Sequence, residues 1–212
     1  MPEVKKVGNI IILSSPSGAG KTTLVKKISK NKNFFTSISH TTRAPRLNEK
    51  HGKDYIFINK REFKSLIKEK KFLEHAKVFG NFYGSSKEIV LKYLKQGKNV
   101  VFDIDWQGTR QIKNKKLKFK LILIYILPPS KKELYLRLLK RENNNKKTIN
   151  KRMKQFKKDV LHWKDYDYVV VNDKLEKCYK TIMRFINSNK LQEKLINFNK
   201  KIINQHVKKL LK

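Results

Sequence analysis

The chain has 212 residues, 39% of them hydrophobic, with 52 Lys or Arg against 17 Asp or Glu and a formal charge of +35. That length suits one α/β domain with a buried core and is short for two. A single cysteine, Cys178, excludes an internal disulfide, and no apolar run is long enough to span a bilayer. The charge implies attraction to polyanions. However, the lysines are spread from Lys5 to Lys212 and no nucleic-acid recognition motif accompanies them, so a specific nucleic-acid partner is not expected. Met1-Pro2-Glu3 opens no signal peptide, and a cytoplasmic location is the expectation.

The stretch from Asn9 to Leu24 carries the first chemistry. Four aliphatic residues, Ile10 to Leu13, predict a strand, and Leu24, Val25 and Ile28 follow at helical spacing. Between them lies the turn Ser15, Pro16, Ser17, Gly18, Ala19, Gly20, Lys21 and Thr22. Gly18 and Gly20 let successive N–H groups curl inward around a phosphate, Lys21 can reach the outer phosphates, and Thr22 offers a hydroxyl to Mg²⁺. A glycine turn that merely joins strand to helix is the alternative; the strand–loop–helix context favours nucleotide phosphates. Ser15 stands where this pattern usually opens with glycine, and it fits if its φ is negative.

A strand is predicted from Phe34 to Ser39, then a loop carrying Arg43 and Arg46, whose guanidinium groups suit a second anion or a solvated basic surface. Tyr55 to Ile58 reads as a strand. Asn59 and Glu62 form a capping box for a helix with Phe63, Leu66 and Ile67 inward. Phe72 to Val78 alternates, and Phe82 to Ser85 follows a turn at Gly80. Glu74, a carboxylate amid apolar neighbours, calls for a donor, unless it is an edge residue facing a lysine. Ser86 to Lys95 is a helix stopped by Gly97. The aliphatic strand Asn99 to Phe102 ends in Asp103, for which the water shell of Mg²⁺ is the favoured role; the alternative is that Asp103 and Asp105 cap a helix near Trp106.

Leu121 to Leu127 predicts a buried strand, and Ser130 caps a helix through Arg141. Asn143 to Lys147 reads as a polar linker, and Thr148 to about Leu161 as a helix carrying Arg152. Tyr168 to Asn172 is a last strand. Leu175, Cys178, Ile182 and Phe185 then share one helix face, which makes Cys178 a buried structural thiol. This alternation implies an α/β fold with a mostly parallel sheet covered on both faces. From Lys190 to Lys212, Leu191, Leu195, Phe198, Ile202 and Ile203 recur at helical spacing among lysines, an amphipathic helix expected to pack on the body or a partner subunit in preference to a membrane.

Taken in order, the phosphate loop, the Ser39–Arg46 loop, Glu74, Tyr83-Gly84-Ser85 and Asp103-Ile104-Asp105-Trp106-Gln107-Gly108 resemble a bacterial-type guanylate kinase from about Gly8 to Asn187. The resemblance implies a three-layer phosphate-loop NTPase fold with a small GMP-binding subdomain and a helical lid. It implies an organisation of 1–38, 87–136 and 157–188 as core, 39–86 as the GMP subdomain, 137–156 as lid and 189–212 as basic tail. The implied reaction moves the γ-phosphoryl of ATP to GMP, and to dGMP, with Mg²⁺. By position, Arg43, Arg46, Tyr55 and Tyr83 fall on the GMP phosphate ligands, and Ser39, Glu74, Ser85 and Asp105 on the guanine readers. Arg141 and Arg152 fall on the arginines that clamp the transferring phosphoryl, and Asn172 on an adenine contact. With Lys21, the four arginines make the implied catalytic set, and Thr22 and Asp103 the implied metal ligands. The chain departs from the family at Leu47-Asn48, at Glu142-Asn143-Asn144 and in its long tail. Two other readings are a non-catalytic guanylate-kinase-like binding module and a polyanion-binding protein; a homo-oligomer through the C-terminal helix is a further expectation.

Overall fold

The structure, a computed structural model, describes residues 7–188 and 199–212. Leu191, Leu195 and Phe198 of the expected tail helix lie outside the described residues. In chain order the first elements are β1 (Ile10–Ser14), α1 (Lys21–Ile28), β2 (Phe34–Ser37), β3 (His40–Thr41), β4 (Ile56–Phe57), α2 (Lys60–Lys68), β5 (Phe72–Val78), β6 (Asn81–Ser86) and α3 (Lys87–Lys95). Then follow β7 (Asn99–Asp103), α4 (Trp106–Asn114), β8 (Leu121–Leu127), α5 (Lys131–Arg141), α6 (Lys146–Asp159), β9 (Tyr168–Val171), α7 (Leu175–Asn187) and α8 (Lys200–Leu211).

Every residue of β1 is buried, which is why its sequence shows a continuous aliphatic run and no alternation. It lies at the centre of a five-stranded sheet of order β2-β7-β1-β8-β9, in which β2 pairs with β7 and β8 with β9 in parallel. A second sheet of order β4-β3-β6-β5 occupies part of residues 40–86, with β6 antiparallel to both β3 and β5. Its core is aromatic: the Phe63 ring of α2 sits 4.6 Å from Phe72 and 5.4 Å from Phe82.

Contacts divide the chain into two compact units, one formed by residues up to Ile12 with Ser29–Leu121, the other by Leu13–Ile28 with Ile122–Lys212. Short polar side chains set the helix starts in both. Asn59 and Glu62 make the expected reciprocal capping box of α2, Ser86 caps α3, and Ser130 caps α5.

Four boundaries differ from the sequence reading. The strand expected to run to Ser39 ends at Ser37, and the one from Tyr55 to Ile58 narrows to Ile56–Phe57. The expected linker Asn143 to Lys147 is mostly helix punctuation: Asn143 and Asn144 take positive φ, Asn145 accepts from Thr148 N, and Lys146 already begins α6. Asparagine tolerates the left-handed region and caps well, so a run of three can close one helix and open the next. Helix α6 ends at Asp159, and a 3₁₀ segment follows through Val160–Asp165.

The described part of the tail packs within its own unit. Val207 and Leu210 of α8 are buried, His206 Nε2 lies 2.9 Å from the Pro128 carbonyl, and Lys131 Nζ donates to the Lys212 carbonyl at 3.2 Å. Among the described residues no helix is long and apolar enough to cross a membrane.

Cys178 is buried as expected, and its thiol is pushed up to about 12, chiefly by burial and then by the charge of Asp173. In the native protein at pH 8 it should resist iodoacetamide and react only once denaturant is added. Stoichiometric alkylation of the folded chain, read by mass spectrometry, would contradict this placement.

Candidate active site

The phosphate-loop side is built wholly within the second unit. Gly18 and Gly20 hold φ of 92° and 94°, whereas Ser15 stays outside the positive region, so serine costs nothing where glycine is usual. The loop is braced from two elements. Asn172, just past β9, donates its amide to the Ala19 carbonyl at 2.8 Å, and Arg137 of α5 donates to the carbonyls of Ala19 at 3.4 Å and Asn172 at 3.2 Å. Glu133, one helical turn back, holds Arg137 at 2.9 Å. A Cβ on Gly20 would collide with the Asn172 amide, so this contact as well as the turn demands glycine. Helix α1 starts at Lys21 with no acidic residue in its first turn, leaving its positive dipole end uncompensated beside the loop. Thr22 is exposed on that turn.

The two arginines of α5 and α6 belong to the same unit. Arg152 donates from a terminal guanidinium nitrogen to Ser17 Oγ at 2.8 Å, and its Nε lies 3.2 Å from a Glu142 carboxylate oxygen. Arg141 Nε lies 3.4 Å from the same oxygen.

The other expected site residues all fall in the first unit. Arg43 grips Glu49 at 2.8 and 2.9 Å, and Arg46 reaches Glu49 through a guanidinium nitrogen at 3.1 Å and through its backbone N–H at 2.9 Å. The Arg43 guanidinium also lies 5.4 Å from the Tyr55 ring centre, and Tyr55 meets Tyr83 edge-on at 6.0 Å. Burial first, then the charges of Asp103 and Tyr83, push the Tyr55 hydroxyl well above its ordinary range, so Tyr55 is a neutral hydrogen-bonding group. Burial alone would raise Glu49, but the Arg46 N–H and the Arg43 guanidinium together hold its carboxyl below the usual range.

Glu74 is 2% exposed and faces Ser85 across the β5–β6 ladder, where Ser85 Oγ donates to it at 2.6 Å. A Cβ on Gly108 of α4 would collide with the other Glu74 oxygen, so glycine there makes room for the carboxylate. Ser39 is buried at the start of the same sheet. Asp105 caps α4, accepting from Gln107 N at 3.0 Å and Gly108 N at 3.2 Å. Of the two sequence readings for the paired aspartates, capping holds for Asp105; Asp103 ends β7 half-buried, near enough to Tyr55 to raise it.

Among the described residues no three His, Cys, Asp or Glu side chains gather as metal ligands. Sequence reading gave no role to Glu49, Gly108 or Arg137, and treated Glu142 only as a departure. The one available signal was spacing: Glu49 lies three and six residues from the two loop arginines, and Glu133 four from Arg137.

A parallel α/β sheet whose central strand opens into a braced, glycine-curled loop at a helix N-terminus defines a phosphate-loop nucleotide-binding protein. Residues 7–189 match the sequence model of guanylate kinase. The chain is 49% identical to guanylate kinase of Rickettsia prowazekii (strain Madrid E) over 183 residues, 86% of this chain and 92% of that protein. It is 43% identical to guanylate kinase of Buchnera aphidicola subsp. Schizaphis graminum over 202 residues, 94% of each. The crystal structure of guanylate kinase from Anaplasma phagocytophilum superposes with a TM-score of 0.70 at 35% identity, covering 86% of each chain. The chain belongs to the guanylate kinase family.

The Glu49 bridge has a pH signature. A carboxyl held low in the folded state contributes stability that is complete above its unfolded value and is lost as pH falls through the folded one. Between about pH 5 and pH 3, the melting temperature of the wild type should therefore fall more steeply than that of Glu49→Gln. Parallel curves would remove Glu49 from the acid response.

Proposed function

We propose that this chain transfers the γ-phosphoryl group of ATP to GMP, giving ADP and GDP, with dGMP as a second acceptor. The observation that carries the reading is the buried Glu74 carboxylate, oriented by Ser85 and given room by Gly108. Guanine presents N1–H and an exocyclic amino group side by side, two donors for one carboxylate. Adenine places an acceptor at N1 and would leave the buried acid facing a lone pair, the kind of polar mismatch that discriminates strongly. The sugar is not part of that contact, which is why dGMP is included.

Phosphoryl transfer asks little covalent work of the protein; what it needs is in-line placement and positive charge where the transition state spreads negative charge. In this reading Arg43, Arg46, Tyr55 and Tyr83 hold the GMP phosphate, and Ser39, Glu74, Ser85 and Asp105 read the base. Lys21, Arg141 and Arg152 meet the transferring group, with the loop N–H groups from Ser15 to Thr22 around the ATP phosphates. Asn172 supports the loop that carries the adenine nucleotide. Mg²⁺, held through Thr22 and Asp103, would supply charge neutralisation on the phosphate oxygens. Purine nucleotide metabolism in the cytoplasm is the matching setting. Among the described residues, Ile202, 60% exposed, is the large apolar side chain that self-association through the C-terminal helix would use.

A non-catalytic binding module is disfavoured by the braced loop that carries Lys21, by Arg152 bound to that loop and by Arg141 sharing the Glu142 carboxylate with it. A coupled assay with ATP and each nucleoside monophosphate in turn tests the proposal, with GMP expected to be the preferred acceptor. Lys21→Ala should lower kcat by about 10²-fold or more with an unchanged circular dichroism spectrum. Glu74→Gln should raise KM for GMP by roughly tenfold or more and leave KM for ATP near its original value, since it swaps an acceptor for a donor against guanine. Equal changes in both constants would move Glu74 out of the acceptor pocket.

A further inference from the structure

Helix α5 ends at Arg141, and Glu142 is its C-cap, with φ −105° and ψ 18°. The chain then reverses through two consecutive left-handed residues, Asn143 at φ 47° and Asn144 at φ 60°. The reversal is tied by backbone bonds from Asn144 N to the Leu139 carbonyl and from Asn145 N to the Glu142 carbonyl, both 3.0 Å, before Asn145 caps α6. This fixed turn sets the Glu142 carboxylate against guanidinium groups from both helices, 3.4 Å from Arg141 Nε and 3.2 Å from Arg152 Nε. The side chains of Glu142 and Arg152 are each only 12% exposed, which separates this pair from the solvated ion pairs that contribute little.

A guanidinium is a flat fork with five N–H donors, so holding one edge decides where the others point. The Glu142 carboxylate lies 3.2 Å from Nε of Arg152 as an ion pair, and a terminal nitrogen of the same guanidinium donates to Ser17 Oγ in the phosphate loop. One carboxylate also offsets the repulsion of two cations that approach it from different helices.

We propose that Glu142 is a positioning residue for phosphoryl transfer: it acts through Arg152, and secondarily Arg141, by orienting the guanidinium fork toward the phosphate loop before nucleotide arrives. This inference rests on the function proposed above and adds to it a residue that touches neither nucleotide.

The test is a double-mutant cycle on the full chain, comparing wild type, Glu142→Gln, Arg152→Lys and the double variant in the ATP-plus-GMP assay. Lysine keeps the charge of Arg152 and has no planar guanidinium for the Glu142 carboxylate to align. Glu142→Gln should lower kcat by about ten- to a hundredfold, since misplacement of roughly an ångström costs that much, while KM for GMP stays within about twofold. In the Arg152→Lys background the same change should cost no more than about twofold further, because the two residues act as one unit. Unchanged kcat in Glu142→Gln, or losses that multiply in the double variant, would overturn the proposal. Should Glu142→Gln fail to fold, Glu142→Ala is measured instead, with the same loss expected and wild-type turnover overturning. A wild type that makes no GDP is a different result: it defeats the proposed function, and the cycle is then not reached.

Discussion

In the proposed function positive charge must stand ready for phosphate before any phosphate is present, and guanidinium groups gathered close together repel one another. Each unit of this chain meets the constraint in the same way, with one acid bridging two arginines. Glu49 joins Arg43 and Arg46, and Glu142 joins Arg141 and Arg152. In both cases the acid side chain is largely buried, so the attraction acts with little solvent screening. The bridged state remains net positive, two cations to one anion, and an incoming phosphate still finds charge to satisfy.

The rest of the fold keeps such groups where they are. The fully buried β1 strand gives the phosphate loop a rigid origin, and the loop's far side is held by Asn172 and Arg137, themselves carried on β9's end and α5. The second sheet does the same for Glu74. Register across β5 and β6 sets Ser85 opposite it, Phe63 and Phe72 close against Gly84 next to Ser85, and Gly108 leaves space for the acid. Glycine appears at Gly20 and Gly108 for different reasons. At Gly20 the backbone is left-handed and the amide of Asn172 is close; at Gly108 only the approach of a carboxylate forbids a Cβ.

What could be read from sequence was what is encoded locally. The strand, loop and helix around Lys21, the Asn59–Glu62 capping box, the Ser130 cap and the buried face of Cys178 each depend on residues within a few positions of one another. What escaped was pairing between distant segments and the double use of polar residues. Nothing near Gly108 announces that Glu74 will lie against it, and nothing near Arg137 points to the Ala19 carbonyl 118 positions away. The Asn143–Asn145 run misled for a related reason: asparagine serves a loop, a left-handed turn and a cap equally well, and only the two helices around it decide.

Composition sharpens the meaning of the acids that remain. With 52 basic residues against 17 acidic ones, a carboxylate in this chain is never short of a cation, so surface pairing explains little about where acids sit. Six of the 17, Glu49, Glu74, Asp103, Asp105, Glu133 and Glu142, belong to the candidate site or its supports. Three bridge or hold arginines, one caps the helix that carries Gly108, one ends the strand beside Tyr55, and one is buried facing a serine. A basic surface built only to attract polyanions would need none of these placements. Acids held against arginines, together with a buried acid set against a serine, suit a catalyst that must hold anions briefly and release them.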